Sequence, residues 1–259
     1  MRTVAATRYV TPLREGGSLP AIVEGDDSGL YVAKFRGAGQ GPKALVAELV
    51  AGELARAAGL RVPEIVLLEV DAALGRNEED PEIRELLQAS IGTNLGLDYL
   101  PGSATFDPVA GPAPDGVEAS AIVWLDALVQ NVDRTPRNAN LLAWHRRLWL
   151  IDHGASLWFH HAWDRAADAA RDRFAPVKDH VLLPWATGVR AAAGALAPRL
   201  AREVLERIVA DVPDAWLAPE PDLPTPAAHR AAYVDHLARR LAASEAFVEE
   251  AERARAQRV

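Results

Sequence analysis

Cysteine is absent from all 259 residues, which excludes disulfides, a thiolate nucleophile and cysteine-ligated zinc, and is compatible with a reducing compartment. Long hydrophobic runs are missing too. No stretch reaches the ~18 apolar residues of a membrane span, and the opening segment from Met1 to Leu13 lacks the unbroken apolar run of a secretion signal. The expectation is a cytoplasmic location. Basic charge is scarce, with 28 Lys and Arg against 36 Asp and Glu and a net charge of −8. This balance argues against a general nucleic-acid binder, because affinity for the phosphate backbone rests on clustered cations. Aromatic residues make up only 6% of the chain, and the seven tryptophans read most simply as core and lobe-packing residues.

What is present is an ordinary globular composition, 49% hydrophobic and 25% charged. The length suits one large domain or two lobes sharing a cleft. The first third reads as a three-stranded meander: Arg2 to Leu13, Leu19 to Glu24 and Leu30 to Phe35, with turns at Gly16-Gly17-Ser18 and Gly25 to Gly29. A glycine-rich loop, Gly37 to Gly41, precedes a helix from Lys43 to Ala58 that Gly59 and Pro63 stop. Glu64 to Val70 is another strand, Glu78 to Ala89 a short charged helix, and the segment through Leu95 a further strand ending in Asp98-Tyr-Leu-Pro. The Pro- and Gly-rich run from Pro101 to Gly116 reads as a connection. Beyond it come an apolar helix from Val117 to Gln130, a polar loop from Asn131 to Asn140 and a short strand from Leu148 to Ile151. Amphipathic patterns follow over Ala191 to Val212 and Ala227 to Arg258, with Ala251 to Val259 expected as a frayed helix end.

Phosphoryl transfer needs a cation on the nucleotide phosphates, a group that receives or orients the acceptor proton, and hard oxygen ligands for Mg²⁺. The chain offers these residue types in order. Lys34 sits in Val-Ala-Lys-Phe, where a long cation on a half-buried strand needs an anionic partner. Glu48 and Glu53 on the next helix are both candidates, but five residues of helix set them about 140° apart, and Glu48 is preferred. Asp133 opens Asp-Arg-Thr-Pro-Arg-Asn, so Asn138 follows five residues later, and Asp152 lies nineteen residues beyond Asp133 in Leu-Ile-Asp-His-Gly. Asp133 suits a base or acceptor-orienting role, with Asn138 and Asp152 as metal ligands. Gly16, Gly17 and Ser18 could lay backbone N–H groups on phosphates as a hairpin lid. No P-loop, dinucleotide turn or nucleophile elbow is present. His145, His153, His160 and His161 lack zinc-ligand spacing, since adjacent residues such as His160 and His161 are expected to point in different directions on a helix or a strand.

Tyr31-Val-Ala-Lys-Phe, Glu48 in a helix ending Gly59-Leu-Arg-Val-Pro-Glu, Leu97-Asp-Tyr-Leu-Pro-Gly, Asn131-Val-Asp-Arg-Thr-Pro-Arg-Asn and Ile151-Asp-His-Gly together resemble the HipA-like branch of the protein-kinase-like fold. The shorter relatives without an extended N-terminal region are the nearest match. The resemblance implies an α+β, bilobal fold: a small β-rich N-lobe over residues 1–97, an antiparallel sheet with one main helix, and a mainly helical C-lobe over 98–259. It also implies ATP and Mg²⁺ in the cleft, with backbone at Asp98 and Leu100 pairing with adenine. This chain departs from protein kinases in carrying Asn131-Val132 ahead of Asp133 and His153 after Asp152. The implied activity is transfer of the γ-phosphoryl group to a hydroxyl acceptor, with protein Ser/Thr favoured and a small molecule or lipid headgroup as alternatives. A nucleotide-binding pseudokinase module and an adenylyl transferase are competing readings.

Overall fold

The computed structural model describes residues 1–13, 19–76 and 78–258. The turn residues Gly16, Gly17 and Ser18 lie outside the described residues. Strands β1 (Thr3–Pro12), β2 (Ala21–Gly25) and β3 (Leu30–Lys34) form the meander. Helix α1 (Gly41–Ala58), β4 (Ile65–Val70), α2 (Pro81–Ala89) and β5 (Gly92–Asp98) follow. The five strands close on themselves in the order β1-β2-β3-β5-β4.

This closure corrects the expected antiparallel sheet. The ten-residue β1 serves two neighbours: Ala6 to Pro12 pair antiparallel with β2, while Thr3 to Ala5 pair parallel with β4. Register irregularities between Ala6 and Arg8 and between Tyr9 and Thr11 give β1 the bends that closure requires. Val4, Val23, Tyr31, Val66 and Leu68 fill the interior, and Leu86 and Leu87 of α2 pack onto the same cluster.

Helix α1 is apolar on nearly every face, with Leu45, Leu49, Val50 and Leu54 all buried, as expected of a helix covered on all sides. It belongs to the larger core and packs against the C-terminal helices as well as β4 and β5. Gly59 ends it in a left-handed conformation at φ 94°, a backbone state open to glycine, and its N–H reaches the carbonyls of Ala55 and Arg56.

The Pro- and Gly-rich stretch contributes a two-residue strand, β6 (Ala104–Thr105), that pairs with β7 (Leu141–Trp144), which in turn pairs with β8 (Arg147–Leu150). Neither β6 nor β7 was expected. The β7–β8 turn is made by His145 and Arg146, both at positive φ without glycine, so it carries none of the usual hairpin signals. Between β6 and β7, α3 (Gly116–Val129) begins at Asp115, whose carboxylate accepts from the N–H groups of Val117 and Glu118.

The remainder is helical: α4 (Ala166–Ala169), α5 (Val189–Leu196), α6 (Arg202–Ala210), α7 (Pro226–Ala242) and α8 (Glu245–Ala256), with short 3₁₀ turns between them. The two long amphipathic patterns are each broken. A 3₁₀ turn over Ala197–Leu200, containing Pro198, divides α5 from α6, and Ala243 and Ser244 divide α7 from α8. Ala251 and Ala254 are buried, so the C-terminal segment through Ala256 is packed helix and not the frayed end expected of it. Among the described residues, no helix is long and apolar enough to cross a membrane.

Candidate active site

Strand β3 ends at Lys34, and α1 places Glu48 beside it in the core. The Lys34 Nζ lies 2.7 Å from Glu48 Oε2 and 2.6 Å from Asp152 Oδ1. Glu48 is fully buried, whereas the Asp152 side chain is 50% exposed, so one carboxylate anchors the lysine and the other faces the opening. Glu53 pairs instead with Arg56 on the same helix. Burial works against the Lys34 ammonium, but the Glu48 and Asp152 carboxylates outweigh it and hold its pKa above the usual lysine value. Burial likewise works against the Glu48 carboxylate, which Lys34 and then His153 keep ionised, well below the usual range. His153 is itself fully buried, with Nδ1 3.4 Å from Glu48 Oε1.

The loop after α3 brings the second group of residues to the same cleft. Asn138 Nδ2 donates to Asp133 Oδ2 at 2.8 Å, and Asn140 Nδ2 donates to the same oxygen at 3.3 Å. Asn140 also reaches the Asp152 carbonyl at 3.4 Å, linking the two acidic segments. Asn140 and Asp152 both adopt left-handed backbone, at φ 48° and 56°, which costs about 1 kcal/mol or more per non-glycine residue and persists only where surrounding contacts impose it.

Those contacts come from a buried carboxylate that sequence reasoning missed. Asp126 sits on α3 and is fully buried; it accepts from Arg134 Nε at 2.6 Å, His180 Nε2 at 2.9 Å and Asn131 Nδ2 at 3.1 Å. Asn131 Oδ1 in turn accepts from the Asp133 N–H at 3.1 Å. Arg134, also fully buried, donates to the Asn140 carbonyl and, at 3.4 Å, to the Ile151 carbonyl. One carboxylate therefore ties the approach to Asp133, the exit of its loop and the residue before Asp152 into one frame. Burial pushes the Asp126 carboxyl up, but Arg134 and His180 hold it well below the usual range. His180 accepts the Leu182 N–H on Nδ1 at 3.0 Å, which leaves its proton on Nε2 for Asp126. The signal available in the sequence was a single acid within the otherwise apolar Ile122 to Val129; nothing local marked His180.

Lys34, Asp133, Asn138 and Asp152 line one cavity of about 630 Å³, together with Gln40, Thr105, Arg137, Asn140, Leu142, Gly154, Trp158 and His161. Glu48 lies behind Lys34 and lines a smaller adjoining cavity with Asp152 and Gly154. Asp98 and Leu100 stand outside the lining of both cavities. The Asp98 N–H is committed to the Glu64 carbonyl at 2.8 Å, and the Leu100 side chain is buried.

Among the described residues, no cluster of three His, Asp or Glu side chains could hold a metal unaided. Magnesium is instead commonly held by one or two side-chain oxygens with the rest of its sphere from phosphate and water. The exposed Asp152 carboxylate and the Asn138 amide oxygen, both from residues in the lining of the cavity, are hard ligands of that kind. The residues fit such an ion.

A family model described as HipA-like kinase matches residues 7–251, so the chain belongs to the HipA-like kinase family, and a kinase-type phosphotransferase is the class this supports. Among solved structures the chain is similar to the crystal structure of CtkA, a Helicobacter pylori proinflammatory kinase. The two align with a TM-score of 0.58 at 12% identity, over 95% of this chain and 99% of that one, a likeness of fold alone. No curated protein matches the chain.

Proposed function

We propose that the chain is an ATP- and Mg²⁺-dependent kinase that transfers the γ-phosphoryl group to a hydroxyl acceptor. The observation carrying this reading is the convergence of Lys34, Asp133, Asn138 and Asp152 on one cavity, from segments as far apart as β3 and the residues after β8. Lys34, held charged by Glu48, pairs with nucleotide phosphate. Asn138 and Asp152 hold the metal, which when bound neutralises phosphate charge and polarises the transferred group. Asp133, fixed by Asn131, Asn138 and Asn140, takes the proton as the acceptor oxygen bonds to the γ-phosphorus and the bond to the β–γ bridging oxygen breaks, releasing ADP.

The same reading divides the fold near Asp98 into two lobes and sets adenine, beyond the lining of the two cavities, at the Asp98 carbonyl and the Leu100 N–H, since the Asp98 N–H is already bonded to the Glu64 carbonyl. The Leu100 N–H has no hydrogen-bond partner among the described residues, which leaves it open to a base. Arg137, Asn138 and Trp158, at the proposed acceptor end of the cavity, are all exposed, which supports an acceptor presented on a polypeptide. On this reading a protein Ser/Thr hydroxyl is favoured over a small molecule or lipid headgroup.

The test is release or transfer of labelled γ-phosphate from Mg-ATP by the wild type and by Asp133→Ala and Asp152→Ala, with folding checked by circular dichroism. Activity should collapse in both variants, by roughly 100-fold or more. Retention of wild-type turnover in either would sink the assignment. In a parallel assay with α-labelled ATP, transfer of that label to an acceptor with release of pyrophosphate would instead mark an adenylyl transferase.

A further inference from the structure

The charge balance of the cavity singles out Arg137. The lining holds two basic side chains, Lys34 and Arg137, and two carboxylates, Asp133 and Asp152. Lys34 is already engaged by two carboxylates, Glu48 and Asp152. Counted by formal charge with Glu48, the groups of the site other than Arg137 sum to −2, so one divalent ion brings it only to neutrality and leaves the charge of a polyphosphate without a counterpart. Arg137 is the one lining cation that makes no ion pair with a carboxylate among the described residues. Arg134, its neighbour in the same loop, is unavailable because Asp126 holds it in the core.

Backbone geometry holds Arg137 in place. The Thr135 N–H meets the Asn138 carbonyl at 3.0 Å and the Asn138 N–H meets the Thr135 carbonyl at 3.1 Å, closing a tight turn with Pro136 and Arg137 at its tip. Proline fixes its own φ and restricts Thr135, so the turn is stiff. Arg137 is thus held immediately before the metal-ligand candidate Asn138 and four residues after Asp133, at the end of the cavity where transfer takes place. A planar guanidinium there matches the equatorial oxygens of a terminal phosphoryl group, in a geometry an ammonium cannot reproduce.

We infer that Arg137 contacts the terminal phosphate of the bound nucleotide and gives the site its preference for a nucleoside triphosphate over the diphosphate. This rests on the proposed nucleotide site, and its test separates the two. Calorimetry on the whole chain would measure Kd for Mg·AMP-PNP and for Mg·ADP in the wild type, Arg137→Ala, Arg137→Gln and Arg137→Lys. Arg146→Ala, which removes the same charge from the β7–β8 turn outside the cavity, is the control for long-range effects. The expected result is a loss of roughly 10- to 100-fold in Mg·AMP-PNP affinity for the Ala and Gln variants, with Mg·ADP within about threefold of wild type. Arg137→Lys should keep part of the preference and Arg146→Ala all of it. Equal weakening of both nucleotides, or no change in either, would overturn the role of Arg137 while leaving the site reading intact. A wild type that binds neither nucleotide would remove the site and the inference together.

Discussion

Replacing Asp126 by alanine is the perturbation whose consequence follows most directly from the structure. The substitution leaves Arg134, itself fully buried, without its carboxylate and deprives Asn131 and His180 of their acceptor. An uncompensated buried charge of this kind costs about 3–5 kcal/mol. For a chain of this length, at roughly 2 °C per kcal/mol, that lowers Tm by about 6–10 °C. The double variant Asp126→Leu with Arg134→Met removes both charges at once and should recover most of the lost stability, because the expense lies in leaving one ion alone. Its turnover should stay low, since replacing Arg134 releases the Asn140 and Ile151 carbonyls that it holds. Urea denaturation gives the stabilities and γ-phosphate release gives the turnover. A cost below about 1 kcal/mol for the single variant, or wild-type turnover in the double, would refute the view that this carboxylate frames the site.

Two further outcomes concern the helical core. Arg240 is fully buried and donates to the Ala127, Leu128, Ala169 and Asp172 carbonyls at 2.6–3.2 Å, capping the end of α3 just before the active-site loop. Arg240→Ala should cost about 3 kcal/mol or more in urea denaturation, and Arg240→Lys much of that, since an ammonium lacks the fork that spans these oxygens. Stability should also fall with acid. His160, held down to about 3 by burial and then by His161 and Lys43, and His236, held down to about 3 by burial and then by Arg240, are neutral in the native state. Their contribution is complete above pH 6.5, the unfolded value, and is lost as pH falls from there toward 3, at up to about 1.4 kcal/mol per pH unit for each. Urea midpoints at pH 7.5 and 5.5 should differ accordingly, and His160→Gln or His236→Gln should reduce the difference; identical midpoints in the wild type would contradict it.

Much of the local architecture is legible in the amino-acid order, for reasons of short range. Alternation around Lys34 gives β3, glycine and proline stop α1 after Ala58, and a continuous apolar stretch becomes α3. The spacing of Asp133, Asn138 and Asp152 is likewise a local property, and so is the angle that separates Glu48 from Glu53 on one helix. What the order of residues leaves open is decided by partners far along the chain. Whether β1 stays in an antiparallel meander or bends to meet β4 depends on pairing between Thr3–Ala5 and Leu67–Glu69, which no local pattern encodes. The β6–β7–β8 sheet joins residues on either side of α3, with a turn lacking glycine. Asp126 reads locally as a misplaced charge; only the folded core supplies Arg134, Asn131 and His180 and turns that charge into the anchor of the loop. The sequence by itself determined which chemical groups are available and on which elements they ride, because periodicity and turn chemistry act over a few residues. The tertiary structure decided which of them meet, because burying a charge is tolerable only where distant segments supply its partners.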